Sequence, residues 1–338
     1  MQNNGIFRSI WHNIKNFLKR FQFITSIYVA KKLQFQKTVQ WVEKRKCFGK
    51  LYPDKTFYVI RVRPSPSSII SLVVWVCIQL KICEENGYIP VVDFSFYKNV
   101  GLETNEVGKV NPWEYYFEQP TMYSTKAVYH AANVIIGNAD LQRPDYDAWI
   151  NDINILRENC RIYEKYIHIN KRIEKKARNI YTNLIGTEWR TLGCTYRGTD
   201  YRHRKAVDEY KQPTMEELIR KAQELMDEWL CDHIFLSTED MGAVEEFKKV
   251  FEDKLVYVER MRYPSDVAVT VTYKFDREQD LYYKGEEYLI DTYILAHCNC
   301  LLSSRVGGLF PALFMNNLRY ENKYIYDLGV YTEADCAE

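Results

Sequence analysis

Between Thr56 and Phe94 the sequence leaves little choice of architecture. Phe57-Tyr58-Val59-Ile60-Arg61-Val62 is a run of β-branched and aromatic residues that suits a strand. Arg63-Pro64-Ser65-Pro66-Ser67-Ser68 follows as a turn, and Ile69 to Glu85 as a helix buried on most sides. Asn86-Gly87 closes that helix, since glycine suits the left-handed position past a helix end. Ile89-Pro90-Val91-Val92-Asp93-Phe94 is a second strand. Strands separated by a helix of this length pair in parallel through a crossover, so the chain builds an α/β fold with a parallel sheet.

A second series of the same kind starts at Trp189. The spacing predicts strands over Arg190 to Tyr196, His233 to Ser237, Leu255 to Val258 and Cys298 to Leu302. Helices are predicted over Thr214 to Trp229, where Thr214 and Glu217 form a capping box, over Asp240 to Phe251 and Glu286 to Ala296, and from Gly307 to Asn316. A long charged helical stretch from Asp145 to Leu184, entered after Pro144, bridges the two series. The aromatic segment Asn111 to Gln119 either lines a cleft or plugs a domain face. A chain of 338 residues accommodates two domains of roughly 150 residues. The expected division is a segment of 1–50, a first Rossmann-like lobe over 51–185 and a second over 186–338.

Residues 1–50 are basic. Phe7, Ile10, Trp11, Ile14, Phe17, Leu18 and Phe21 recur at helical spacing among Arg8, Lys15, Lys19 and Arg20, which predicts an amphipathic helix. Such a helix either lies on an anionic membrane surface or packs on its own domain. No secretory signal pattern is visible there, and the apolar run near Ile69 to Leu80 is too short to span a bilayer. The nine cysteines are irregularly spaced without a CxxC pair, which argues against a zinc ribbon and for reduced thiols in a cytoplasmic protein. A net charge of +1 argues against a dedicated nucleic-acid binder. The 27 tyrosines fit sugar-binding clefts, and equally a Tyr-rich core.

Ligands of open α/β sheets bind beyond the carboxyl ends of strands. Three loops in such places carry chemistry-bearing residues. The first is Arg197-Gly198-Thr199-Asp200-Tyr201, where an arginine can fork onto a diphosphate, Gly198 admits close backbone approach, and Asp200 orients the arginine or binds a sugar hydroxyl. A turn with a local salt bridge is the plain alternative. The second is Phe235-Leu236-Ser237-Thr238-Glu239-Asp240, whose acids either face a cleft or serve the start of the next helix. The third runs from Leu289 to Val306 and contains Asp291, His297, Cys298, Ser303 and Ser304. It is either a phosphate-binding helix start or a buried helix and strand with a serine-rich cap. Asp145-Tyr146-Asp147 is a DxD triplet, but it stands at the start of a helical stretch rather than after a strand, and His297 with Cys298 has no second metal-ligating cluster beside it.

These three loops, in this order, resemble the donor-site motifs of the α1,6-, α1,2- and protein O-fucosyltransferases and the nodulation fucosyltransferases. The first resembles their HxRRxD motif, with Arg197 on the essential arginine that holds the β-phosphate of GDP-fucose, Thr195 in place of the histidine and Gly198 in place of the second arginine. Phe235 to Asp240 is similar to their LATDD strand end. In the third, Asp291 matches the aspartate that contacts the base, and Ser303 and Ser304 match the phosphate-binding residues, with Gly307 and Gly308 as alternative neighbours. The resemblance covers about Arg190 to Asn317 and extends weakly to Tyr58 to Asp93.

The resemblance implies a GT-B fold of two facing Rossmann-like lobes and an inverting, metal-independent transfer of L-fucose from GDP-fucose to a glycan hydroxyl. Another nucleotide sugar, or a non-catalytic binding role, stands as the alternative. Arg197, Asp200 and Glu239 are then the expected catalytic residues, with Asp208 or Glu209 as further candidates for the base. Thr195, Arg197, Gly198, Asp240, Asp291, Ser303 and Ser304 are the expected donor-binding residues. No cofactor or metal is expected, nor nucleic acid. A lipid-linked oligosaccharide or bacterial surface polysaccharide is the expected acceptor class, with peripheral contact at the inner membrane face through 1–50.

Overall fold

The computed structural model describes residues 43–62, 68–96, 102–139, 144–186, 188–200, 207–267, 270 and 273–336. The helix expected from Phe7 to Phe21 lies outside the described residues. Of 1–50 only 43–50 are described, and there Lys44–Lys46 is a strand, β1, that adds antiparallel to the edge of the first sheet. That sheet continues with β2 (Leu51–Ile60), β3 (Ile89–Val92) and β4 (Ala131–Ile136), in the order β1-β4-β2-β3. β2 pairs in parallel with both β3 and β4. Helix α1 (Ile69–Asn86) makes the expected crossover, opened by the Ser68 hydroxyl on the Ser71 amide and closed by Gly87 at φ 66°.

The stretch expected as one helical bridge is three helices, α2 (Tyr146–Asn151), α3 (Ile153–Tyr166) and α4 (Lys171–Leu184). The breaks have local causes. Asp152 leaves helical geometry to cap α3 through the amides of Asn154 and Ile155, and Asn170 caps α4. Asn111 to Gln119 forms one helical turn, Trp113–Tyr116, with Trp113 fully buried against Phe94 and Phe117.

The second sheet is β5 (Thr191–Tyr196), β6 (His233–Thr238), β7 (Leu255–Val256), β8 (Cys300–Ser303) and β9 (Asn322–Ile325), the last not expected from the sequence. Every pair is parallel and the order is β7-β6-β5-β8-β9. Helices α5 (Met215–Glu228), α6 (Met241–Phe251), α7 (Asp280–His297) and α8 (Leu309–Asn316) complete it. All six residues of β5 are buried, as the central strand of a sheet covered on both faces must be. None of the described helices is long and apolar enough to cross a membrane.

Apolar packing crosses from one sheet to the other. One buried cluster joins Tyr58, Val73 and Leu80 on the first side to Phe235, Leu295 and Phe314 on the second, through α3, α7 and α8. Helix α7 is the post of this arrangement. On one side Glu286, 1% exposed, receives Arg172 at 2.8 Å and Lys176 at 2.6 Å from α4, together with the Tyr282 hydroxyl. A carboxylate this deep is tolerated only while its partners are present.

That asymmetry is measurable. Replacing Arg172 and Lys176 together by Met strands a buried carboxylate and should cost about 3 kcal/mol. Glu286→Gln should cost less, because the cations it releases are 60% and 49% exposed and return to water. Urea unfolding of the two variants ranks them directly, and the opposite ranking rules the account out.

Candidate functional site

The second sheet reverses direction at β5. Strands β6 and β7 lie on one side and β8 and β9 on the other, so a crevice opens between the tips of β5 and β8. Such switch points are where open α/β sheets take ligands. A cavity of about 300 Å³ occupies this place, walled by Thr195 near the end of β5 and Arg197 just past it, Glu239 beyond β6, and Gly307 and Gly308 before α8. Its opposite wall comes from the first lobe, through Ser68 and Ser71 at the start of α1 and Tyr116. The lobes touch closely here, for a Cβ on Gly307 would lie 2.6 Å from the Ser71 hydroxyl.

Arg197 enters the cavity held between two acids. Its guanidinium meets Asp200 at 2.9 Å and Glu239 at 2.6 Å. Thr199 stands between both acids, its hydroxyl 3.1 Å from a carboxylate oxygen of each and sharing its one proton between them. It does so from φ 48°, a left-handed conformation that a β-branched residue adopts only under constraint. The structure thus brings together Thr195, Arg197, Asp200 and Glu239, four residues singled out in the sequence. The local salt bridge offered as the plain reading of this loop is present as well, so Arg197 is both in the cavity and paired.

Gly198 and Asp240 have a different relation from the one expected. Asp240 is 1% exposed and does not face this cavity. It caps α6 through the amides of Gly242 and Ala243, accepts from Ser265 at 2.5 Å, and receives the Thr199 amide at 3.3 Å. A Cβ on Gly198 would overlap its carboxylate, with the Asp240 Cβ and Cγ 2.8 Å away. Glycine therefore stands after Arg197 because the β5 tip packs against a helix cap.

Asp291 also departs from expectation. It is fully buried in α7 and bonded at 2.9 Å to Arg260, so Arg260, not Asp291, reaches the cavity wall. Arg262 lies behind Arg260. Burial and the adjacent Arg260 charge lower its pKa, and it is satisfied by the carbonyls of Val258 and Thr238 while stacking on Tyr257. Ser303 and Ser304 are buried too. The Ser303 hydroxyl pairs with Thr195 at 2.7 Å, and Ser304 donates to Gln212. From this stretch the cavity is lined instead by Thr292 and Leu295 of α7 and by Val306, Gly307 and Gly308 in the turn before α8, because β8 runs through Ser303 and keeps both serines inside.

Glu209 lines the cavity, whereas Asp208 is exposed outside it. Backbone bonds between 208–211 and 329–331 hold this loop at the mouth. Asp145 caps α2, and Asp147 pairs with Arg305, so the DxD triplet is structural. His297 bonds the Tyr293 carbonyl and Cys298 is buried. Among the described residues no group of His, Cys, Asp and Glu is arranged to hold a metal ion.

The segment between β7 and α7 was not read from the sequence, yet it supplies Arg260, Met261, Tyr263, Thr270 and Phe275 to the cavity. It runs beside the end of β6, with the Tyr263 amide on the Glu239 carbonyl at 2.8 Å and the Met241 amide on the Tyr263 carbonyl at 3.0 Å. Tyr263 stacks on Phe275, and the Lys284 ammonium sits over both rings. The signal available was Arg260-Met261-Arg262-Tyr263, two arginines and a tyrosine just past a strand end.

No protein-family model and no curated protein matches this sequence. Among solved structures, fucosyltransferase NodZ from Bradyrhizobium is similar at 13% identity with a TM-score of 0.50, over 81% of this chain and 96% of that one. NodZ alpha-1,6-fucosyltransferase soaked with GDP-fucose is similar at 13% identity and 0.49, over 77% and 93%. Arabidopsis thaliana FUT1 in complex with GDP is similar at 10% identity and 0.43, over 91% and 76%. At this identity the first likeness establishes the fold: the chain has the two-lobed GT-B architecture of NodZ.

The Gly198–Asp240 contact gives a test of the β5 tip. Gly198→Arg, which writes the second arginine of the HxRRxD motif into this chain, should fold less stably than the parent by about 1–3 kcal/mol, since it overpacks a buried cap. A thermal midpoint equal to or above the parent's contradicts this packing.

Proposed function

We propose that this chain is an inverting, metal-independent glycosyltransferase that moves L-fucose from GDP-fucose onto a glycan hydroxyl. The observation that carries the reading is Arg197, on the tip of the central strand, inside a cavity at the switch point and between the two lobes. The fold shared with NodZ and the order of the three sequence motifs support it. A NodZ crystal has been soaked with GDP-fucose, and the donor class proposed here follows that precedent.

In the proposed reaction the acceptor oxygen bonds to the anomeric carbon as the bond from that carbon to the β-phosphate oxygen breaks. The electron pair leaves with the diphosphate, and the hydroxyl proton passes to a carboxylate. Arg197 stabilises the charge gathered on the diphosphate, with the amide groups at the Gly308 end of α8 nearby. Asp200 and Glu239 stand beside Arg197 as candidate bases, and Glu209 faces them from the mouth. A lipid-linked oligosaccharide is the acceptor class we favour, on the strength of the basic amphipathic pattern in 1–50, which would seat a cytoplasmic enzyme on the inner membrane face.

A second reading, the same chemistry with a different nucleotide sugar, is favoured by one observation. Asp291, the residue matched to the base contact, is turned to Arg260 instead of the cavity.

Thermal shift with GDP, UDP and ADP separates the readings, because a ligand of the native state raises the midpoint by mass action. Selectivity for GDP is the expected outcome, and selectivity for another base transfers the case to the second reading. Release of GDP from GDP-fucose should be unchanged by EDTA and should fall at least a hundredfold in Arg197→Ala, about 2.7 kcal/mol of transition-state stabilisation. Parent-like turnover in that variant removes Arg197 from the site.

A further inference from the structure

We infer that Arg260 is a second phosphate-binding cation of this cavity, completing with Arg197 the site for the diphosphate of a nucleotide. The inference rests on the donor-binding reading above. It is motivated by charge. Arg197, Asp200 and Glu239 together carry one net negative charge, and the residue after Arg197 is glycine, so among the described residues the β5 tip brings no second cation, the next ones in sequence, Arg202, Arg204 and Lys205, lying outside them. A diphosphate placed against that cluster alone would meet repulsion.

Arg260 supplies what is missing. It lines the same cavity, and its side chain is 8% exposed. One terminal nitrogen donates to the Thr238 carbonyl at 2.8 Å and to Asp291 at 2.9 Å, which fixes the guanidinium plane. The Nε–H is buried and has no acceptor among the described residues. Buried donors are nearly always satisfied, and the Asp291 Oδ1 is likewise buried without a donor, so this ion pair at the cavity wall is left incompletely satisfied, as a pair that rearranges onto a ligand would be. Arg262, directly behind, makes no ion pair among the described residues and bonds backbone carbonyls instead. Arg260, Arg262 and Asp291 sum to one net positive charge, while the nearby Glu287 is taken by Arg277.

The experiment is equilibrium binding of GDP and of inorganic pyrophosphate to the full chain, with Asp291→Asn and the double variant Arg260→Gln/Asp291→Asn, which removes both charges so that neither is stranded. Asp291→Asn keeps the guanidinium and should bind pyrophosphate at least as tightly as the parent. The double variant should lose tenfold or more for both ligands. Parent-like binding by the double variant overturns the inference, as does equal loss of pyrophosphate in Asp291→Asn alone, which would make the pair a structural element. Arg260→Lys serves if the double variant does not fold. It keeps the charge but has no Nε–H, and parent-like affinity in it counts against the assignment. A parent that binds neither ligand refutes the donor-site reading itself. A parent that binds both and loses them in Arg197→Ala but not at Arg260 refutes this inference alone.

Discussion

Everything at this site depends on how the Arg197 guanidinium is held. A long cation at a strand tip samples many positions, and a pair of carboxylates 2.6 and 2.9 Å away removes most of them. The cost of that order is visible nearby. Thr199 takes a left-handed conformation so that its hydroxyl serves both acids, and Gly198 gives up a side chain so that Asp240 can pack beneath the tip. Asp240 in turn begins α6 and holds Ser265 of the segment beyond β7. Strand tip, helix cap and cavity wall are thus one hydrogen-bonded unit, assembled when the sheet forms.

Helix α7 sets the distance between that unit and the first lobe. Its acids are distributed by face. Asp280 and Glu287 take Arg277, and Asp291 takes Arg260, which ties the segment before the helix back onto it. Glu286 takes the cations of α4 on another side. The apolar remainder enters the core shared with α1 and α3. A rigid post between lobes matters because a cavity formed by two sheets keeps its shape only if their separation is fixed.

The βαβ pattern at Thr56 to Phe94 and the parallel series after Trp189 were legible because apolar runs of strand length alternate with helices, and that periodicity survives in tertiary packing. Arg197, Asp200 and Glu239 were legible because a polar residue just past a buried strand has few places to go. What failed has physical reasons. Asp291 lies on a helix face chosen by packing, and the arginine that neutralises it lies 31 residues away in an irregular segment. Ser303 and Ser304 stand at a strand end, but the depth of that strand depends on the register with β5, which the sequence does not display. The segment over Arg260 to Phe275 has no periodicity, so its contribution to the cavity emerges only with the fold.

The cavity wall carries fixed charges of both signs, and that bears on the proposed chemistry. As a glycosyl bond lengthens, positive charge spreads over the anomeric centre and negative charge collects on the departing diphosphate. Asp200 and Glu239 bring negative charge to the wall around Arg197, and Arg260 brings positive charge to the same wall, bonded to the carbonyl of Thr238 next to Glu239. Charges that are held in place before substrate arrives need little reorganisation at the moment of reaction. On this account the acids around Arg197 do not quench it. They keep it in place, and in the proposed reaction theirs is the negative charge nearest to Arg197.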